Sequence, residues 1–243
     1  MKLRFNLEYQ TNFGEDLILN ILSKDNTKAV SQFKMTTLDG YHWFVELSKA
    51  MSPGMMLDYY YSLVRGEEVV RHEWLLEPHR LEIAAAFGEH YRIYDHWIDI
   101  PEDAYMYSSA FTDCIAARRQ QQSAVTNYQC TVRLKVRAPQ LRYGERLAIV
   151  GEPALLGAWN PKKALPMIEH DAQEWVVSLD ASQLPPSRFE FKFIIVSKDI
   201  ETPLWEQAAN RSIELPELGV NDVVVYELSQ ACFPIYPWKG WSI

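Results

Sequence analysis

The chain has 243 residues, 48% of them apolar and 23% charged, the proportions of a folded globular protein with room for one or two domains. Its 24 basic and 32 acidic side chains leave a formal charge of -8, which argues against a nucleic-acid partner or an anionic membrane surface. The three scattered cysteines, Cys114, Cys130 and Cys232, give neither a disulfide framework nor a paired-cysteine metal site.

In chain order, the first predicted element is a strand, because Leu3, Phe5, Leu7 and Tyr9 alternate with Lys2, Arg4, Asn6 and Glu8. That alternation stands where a signal peptide would be continuously apolar, and no run of about 18 apolar residues follows, so a cytoplasmic chain is expected. Residues 57–64 read as a further strand, rich in aromatic and branched side chains. Residues 101–128 read as a connector, with a short helix expected over 108–119 that places Phe111 and Ile115 on one face. Val132, Leu134 and Val136, alternating with Arg133, Lys135 and Arg137, open a second half, and 189–196 and 223–228 continue it as strands. No helices alternate with these strands, so the expected fold is all-β: two immunoglobulin-like antiparallel β-sandwiches over 1–100 and 129–230, then an exit linker over 231–243.

An internal repeat supports the two-domain count. Asn12-Phe13-Gly14-Glu15-Asp16-Leu17 recurs as Arg142-Tyr143-Gly144-Glu145-Arg146-Leu147, and Trp43-Phe44-Val45-Glu46-Leu47 as Trp175-Val176-Val177-Ser178-Leu179. Asp58-Tyr59-Tyr60-Tyr61 matches Glu190-Phe191-Lys192-Phe193, Trp74 matches Trp205, and Pro78-His79-Arg80 matches Ala209-Asn210-Arg211. Trp43 and Trp175 sit inside alternating strands and are expected in the core.

Common catalytic and cofactor signatures are missing. No glycine spacing permits a dinucleotide or Walker loop, no two histidines are four apart, and there is no Gly-x-Ser-x-Gly elbow. No cofactor or metal is expected.

A resemblance sharpens the picture. Val150-Gly151, then 156–164 (Leu-Gly-Ala-Trp-Asn-Pro-Lys-Lys-Ala), Phe191-Lys192-Phe193, Leu204-Trp205-Glu206 and Asn210-Arg211 make residues 130–228 similar to a family 20 starch-binding module. The resemblance implies a non-catalytic sandwich that binds α-1,4-glucans, with Trp159, Lys192 and Trp205 as its main site and Glu206 and Asn210 contacting sugar hydroxyls. Tyr143 matches a second, weaker family site whose partner aromatic would fall near His170. In the first half, no Leu-Gly-x-Trp turn lies between Leu17 and Trp43. There Tyr60 stands for Lys192, Phe13 for Tyr143, Trp74 for Trp205 and His79 for Asn210, so a weaker or altered site is expected. These residue types suit the chemistry, because a glucan presents apolar C–H faces rimmed by hydroxyls and needs flat rings beside fixed donors and acceptors.

The tandem also resembles the N-terminal part of 4-α-glucanotransferases of the plant disproportionating type, which move glucosyl units between maltose or maltodextrins and a glucan acceptor. Ile235-Tyr236-Pro237-Trp238-Lys239-Gly240 looks like the segment by which that family enters its catalytic barrel. A (β/α)8 barrel takes about 250 residues, so the resemblance implies a C-terminal barrel partner beyond this chain. Two other readings stay open on the sequence: a glucan-active hydrolase, and a structural or protein-binding pair of immunoglobulin-like domains.

Overall fold

The computed structural model describes residues 1–22, 29–48, 51–75, 78–84, 86–99, 125–138, 141, 144–171, 174–197 and 202–234. The helix expected over 108–119, Tyr143 and the exit segment from Ile235 to Ile243 lie outside the described residues.

The first half contributes β1 (Lys2–Glu8), β2 (Glu15–Leu22), β3 (Ala29–Lys34), β4 (Thr36–Thr37), β5 (His42–Ser48), β6 (Met56–Arg65), β7 (Glu68–His72), β8 (His79–Glu82) and β9 (His90–Asp95). The second contributes β10 (Thr131–Arg137), β11 (Arg146–Gly151), β12 (Leu165–Pro166), β13 (Ile168–Asp171), β14 (Glu174–Asp180), β15 (Arg188–Val196), β16 (Leu204–Trp205), β17 (Arg211–Glu214) and β18 (Asp222–Leu228). The pairings repeat. β1 pairs β5 and β9, β2 pairs β3 and β6, and β6 also pairs β7 and β8; β10, β11 and β15 do the same with the corresponding strands.

Each half is a sandwich because its strands alternate apolar and polar residues and must bury one face. Leu17, Leu19 and Ile21 of β2 meet Tyr59, Tyr61 and Leu63 of β6 in one core. Leu147 and Ile149 of β11 meet Phe189, Phe191, Phe193 and Ile195 of β15 in the other. Trp43 and Trp175 lie in these cores at 3% and 6% exposure, as their strand positions predict.

The antiparallel expectation holds for most pairs, but β1–β9, β10–β18 and β9–β18 run parallel. The last of these joins the halves into one eight-stranded sheet ordered β13-β14-β10-β18-β9-β1-β5-β4. The free edge of β8 is closed by the same docking: Arg133 Nη1 donates to Glu82 O at 3.0 Å and Lys135 Nζ to Arg80 O at 2.8 Å. Side chains two apart on β10 match carbonyls two apart on β8, since both follow the period of a strand. The polar face of β10 is therefore covered by the first half, and Arg133 and Lys135 are only 2% and 5% exposed.

Beside them sits a buried ion cluster drawn from both halves. His79 Nδ1 faces Glu227 Oε2 at 2.8 Å and its Nε2 faces Glu73 Oε1 at 3.0 Å. A ring nitrogen can only donate to an ionised carboxylate, so carboxylates at both nitrogens favour the doubly protonated imidazolium form of His79. Burial works against that charge, but Glu227, Glu73 and Asp95 outweigh it and hold its pKa well above the ordinary 6.5. Tyr59 and Tyr61 donate to Asp95 Oδ2 at 2.9 and 2.7 Å. Lys135 Nζ lies 3.2 Å from Glu174 and 3.5 Å from Glu227.

Candidate functional site

The outer face of the β12-β11-β15-β16 sheet carries the residues that the sequence singles out. Val150 pairs with Lys192 and Ile194 with Trp205. Directly paired residues share a face, and so do residues two apart, which puts Lys192 and Trp205 on one surface with their backbones about 8 Å apart. Ala148, Val150 and Ile194 form a small apolar floor there, and half-buried Trp205 rests against it.

Trp159 follows the end of β11 through a strained turn. After Gly151 at the end of β11, a 3-10 turn over Ala154–Leu156 leads into three consecutive left-handed residues: Gly157 at φ +82°, Ala158 at +48° and Trp159 at +61°. Left-handed conformations in non-glycine residues cost about 1–3 kcal/mol each and persist where the surroundings over-determine them, commonly at ligand clamps. Here the Trp159 N–H donates to Gly151 O at 2.8 Å and the Ala158 N–H to Pro153 O at 3.2 Å. Asn160 caps the next turn by accepting from the Lys162 N–H at 3.0 Å. The result is a half-buried tryptophan whose backbone is anchored to Gly151, the residue after Val150 in β11.

The turn has no spare room. A Cβ on Gly157 would stand 2.7 Å from Lys163 O, and one on Gly151 2.5 Å from Glu190 O. Gly157→Ala is expected to weaken glucan binding several-fold and to lower the melting temperature, because backbone must shift under Trp159. Calorimetric titration and thermal melting check both effects.

Lys192 does not stand free. Its Nζ donates to Glu206 O at 3.2 Å and to Ala208 O at 2.5 Å, which leaves one of its three protons for a ligand. Asn210 is exposed, and its Nδ2 donates to Glu190 Oε2 at 3.1 Å, so its carbonyl oxygen and second amide proton face outward. Glu206 is placed differently from the expected sugar contact. It is 5% exposed, and its carboxylate accepts from Arg211 and from the Phe193 N–H.

Of the second-site residues, only His170 is described. Tyr143 lies outside the described residues, and His170 is 4% exposed because the first half covers it, with Nε2 2.5 Å from Glu82 Oε2.

Strand register corrects the first half's site. Ser62 faces His72 as Ile194 faces Trp205, and Tyr59 faces His79 as Phe191 faces Arg211. His72, not Trp74, therefore takes the place of Trp205, and His79 takes that of Arg211 instead of Asn210. The β6–β7 pairing also carries a bulge between Leu63 and Val64. Trp74 is half-buried off the strand, its N–H donating to Ile98 O at 3.2 Å, and His79 is enclosed in the ion cluster.

Among the described residues, His79, Asp95 and Glu227 bring metal-type ligand atoms within 4.8 Å of one another. The 2.8 Å His79–Glu227 hydrogen bond and the nearby Lys135 ammonium already supply the positive charge there, so the arrangement is an ion-pair cluster.

Residues 129–224 match the sequence model of the starch binding domain. Cyclomaltodextrin glucanotransferase from Paenibacillus macerans is 33% identical over 105 residues, which are 42% of this chain and 14% of that enzyme. The chain therefore spans a small part of the relative's length. A family 20 carbohydrate-binding module of the maltotetraose-forming amylase from Pseudomonas saccharophila is similar over 40% of this chain and 99% of its own, at 19% identity and a TM-score of 0.32. The glucoamylase of Hypocrea jecorina covers 45% of this chain and 19% of its own, at 21% identity and a TM-score of 0.34. Residues 129–224, within the second half of this chain, are thus similar in sequence to the starch binding domain.

Proposed function

We propose that this chain holds α-1,4-glucan chains of starch, glycogen or maltodextrin for a larger enzyme, through one principal site made by Trp159, Lys192, Trp205 and Asn210. What supports the reading is the pairing that sets Lys192 and Trp205 on one sheet face, together with the strained left-handed turn at Trp159 next to the end of β11. Half of each indole covered by a sugar removes about 100 Å² from water, worth roughly 2–3 kcal/mol per platform. Association costs at least about 4 kcal/mol, so a single site binds in the micromolar to millimolar range, and attachment to a polymer relies on repeated engagement.

The parent activity in this proposal is 4-α-glucanotransfer by a C-terminal barrel, in a cytoplasmic protein. The sequence Pro237-Trp238-Lys239-Gly240 supports the first part, and the free thiols of Cys130 and Cys232 suit a reducing compartment. The first half contributes docking more than sugar binding, since its register positions for the platforms hold His72 and Tyr60.

Titration of the chain with β-cyclodextrin and maltoheptaose tests the reading; saturable binding supports it, and no heat or fluorescence change at millimolar ligand would remove it. Trp74→Ala is expected to change affinity less than about twofold, because Trp74 lies off the strand row that forms the site. A loss as large as that of Trp159→Ala would show a working first-half site.

A further inference from the structure

The ion pair next to Trp205 has a geometry that the sugar contacts alone do not require. Arg211, at the start of β17, donates from Nε to both Glu206 carboxylate oxygens, at 2.9 and 3.1 Å, and its Nη2 donates to Oε1 as well. Nη1 donates to Ser229 Oγ and Nη2 to Gln230 O, both at 3.2 Å, and the guanidinium lies 5.2 Å from the Phe193 ring centre. Glu206 in turn clasps β15 twice: its N–H donates to Phe193 O at 3.0 Å and its Oε2 accepts from the Phe193 N–H at 3.3 Å.

The segment that presents Trp205 and Asn210 is thus closed at both ends by one pair, with Ala208 held at φ +80° between them. Its other ties include the Gln207 N–H to Cys232 O at 2.8 Å, Lys192 to Glu206 O, and the exposed, individually weak bonds from Lys192 to Ala208 O and from Asn210 to Glu190. The Glu206–Arg211 pair is screened from water, with side-chain exposures of 4% and 17%, and is charge-assisted at several points. Lysine would not replace it, because a point charge cannot hold a planar fork against both oxygens while also reaching Ser229 and Gln230.

The first half offers a comparison within the same molecule. Glu73 repeats the clasp, its N–H donating to Tyr61 O at 3.1 Å and its Oε2 accepting from the Tyr61 N–H at 2.6 Å. Its cation is His79, which turns its other nitrogen to Glu227 of the second half. The half without the Trp205 platform is the half in which this pair serves docking.

We propose that Arg211 is a positioning residue for glucan binding: paired with Glu206, it sets the 205–210 segment so that Trp205 and Asn210 meet the same sugar chain as Trp159. The inference rests on the site proposed above.

The test titrates β-cyclodextrin into wild type, Arg211→Lys and Glu206→Gln by calorimetry, with melting curves and acrylamide quenching of tryptophan fluorescence on each. Arg211→Lys is expected to raise Kd about tenfold at a temperature where it remains fully folded, with quenching increased, since a platform displaced by about 1 Å no longer fits. Glu206→Gln keeps its size and its contact with the Phe193 N–H, and it carries the test with the same expected loss if Arg211→Lys does not fold. A lowered melting temperature with unchanged Kd and quenching would make the pair purely structural and overturn this inference alone. Wild type that fails to bind overturns the site itself.

Discussion

Trp159→Ala and Trp205→Ala each raise the Kd for maltoheptaose or β-cyclodextrin by at least about tenfold, the expected consequence of removing roughly 2 kcal/mol of sugar-facing surface. The two losses have different companions. Trp205 also covers Ala148, Val150 and Ile194, so its truncation lowers the melting temperature by a few degrees. Trp159 occupies a left-handed position, where alanine is no less strained, and its loss leaves stability nearly unchanged. Titration and melting of the two variants separate these effects. Intact binding in both would dismiss the site, whatever the fate of the fold.

The second large effect is at the junction of the halves, where two neighbouring carboxylates have opposite signs. Glu227 is held well below its ordinary pKa: burial alone would raise it, but His79 and Lys135 prevail. Glu227→Gln removes one of the buried carboxylates facing His79 and Lys135, which keep Glu73 and Glu174, and is expected to cost about 3 kcal/mol, or about 6–12 °C in melting temperature for a chain of this size. A depressed carboxylate stabilises above its unfolded pKa, so this cost is full near neutral pH and shrinks as acid protonates the wild-type group.

Asp95 is pushed up to about 6 from an ordinary 3.8, chiefly by burial, with His79 opposing and Glu227 adding to the rise. A raised pKa favours the protonated folded state, so the contribution is present at low pH and is lost as pH climbs through about 6. Asp95→Asn abolishes that titration while its side-chain oxygen still accepts from Tyr59 and Tyr61. The variant is expected to be more stable than wild type by up to about 3 kcal/mol at about pH 8, with the advantage fading toward about pH 4. Denaturant melts across this range check the sign. A destabilised Asp95→Asn at alkaline pH would mean that attraction to His79 and Lys135 dominates over burial.

How legible the site was depended on what kind of interaction placed each residue. The turn tryptophan and the Phe191-Lys192-Phe193 strand are local features, set by glycine geometry and a period of two, and they lie where a reading of the residues puts them. The match of Trp74 to Trp205 failed because a sequence offset does not record which residue a strand sets opposite its neighbour, and β6 sets His72, not Trp74, opposite Ser62. Glu206 is a sugar contact only by the family resemblance; its burial against Arg211 and Phe193 depends on strands that meet only in the sheet.

Alternation along the chain suffices for the all-β class, the repeated arrangement of apolar residues and the core positions of Trp43 and Trp175, since it fixes which side chains can share a buried face. The parallel joining of β9 to β18, the covering of Arg133, Lys135 and His170, and the use of His79 as a bridge between halves arise from packing alone. The reason is that a polar strand face carries the same signal whether it meets water or a matching set of carbonyls and carboxylates. Its partner is chosen by docking, which no local spacing records.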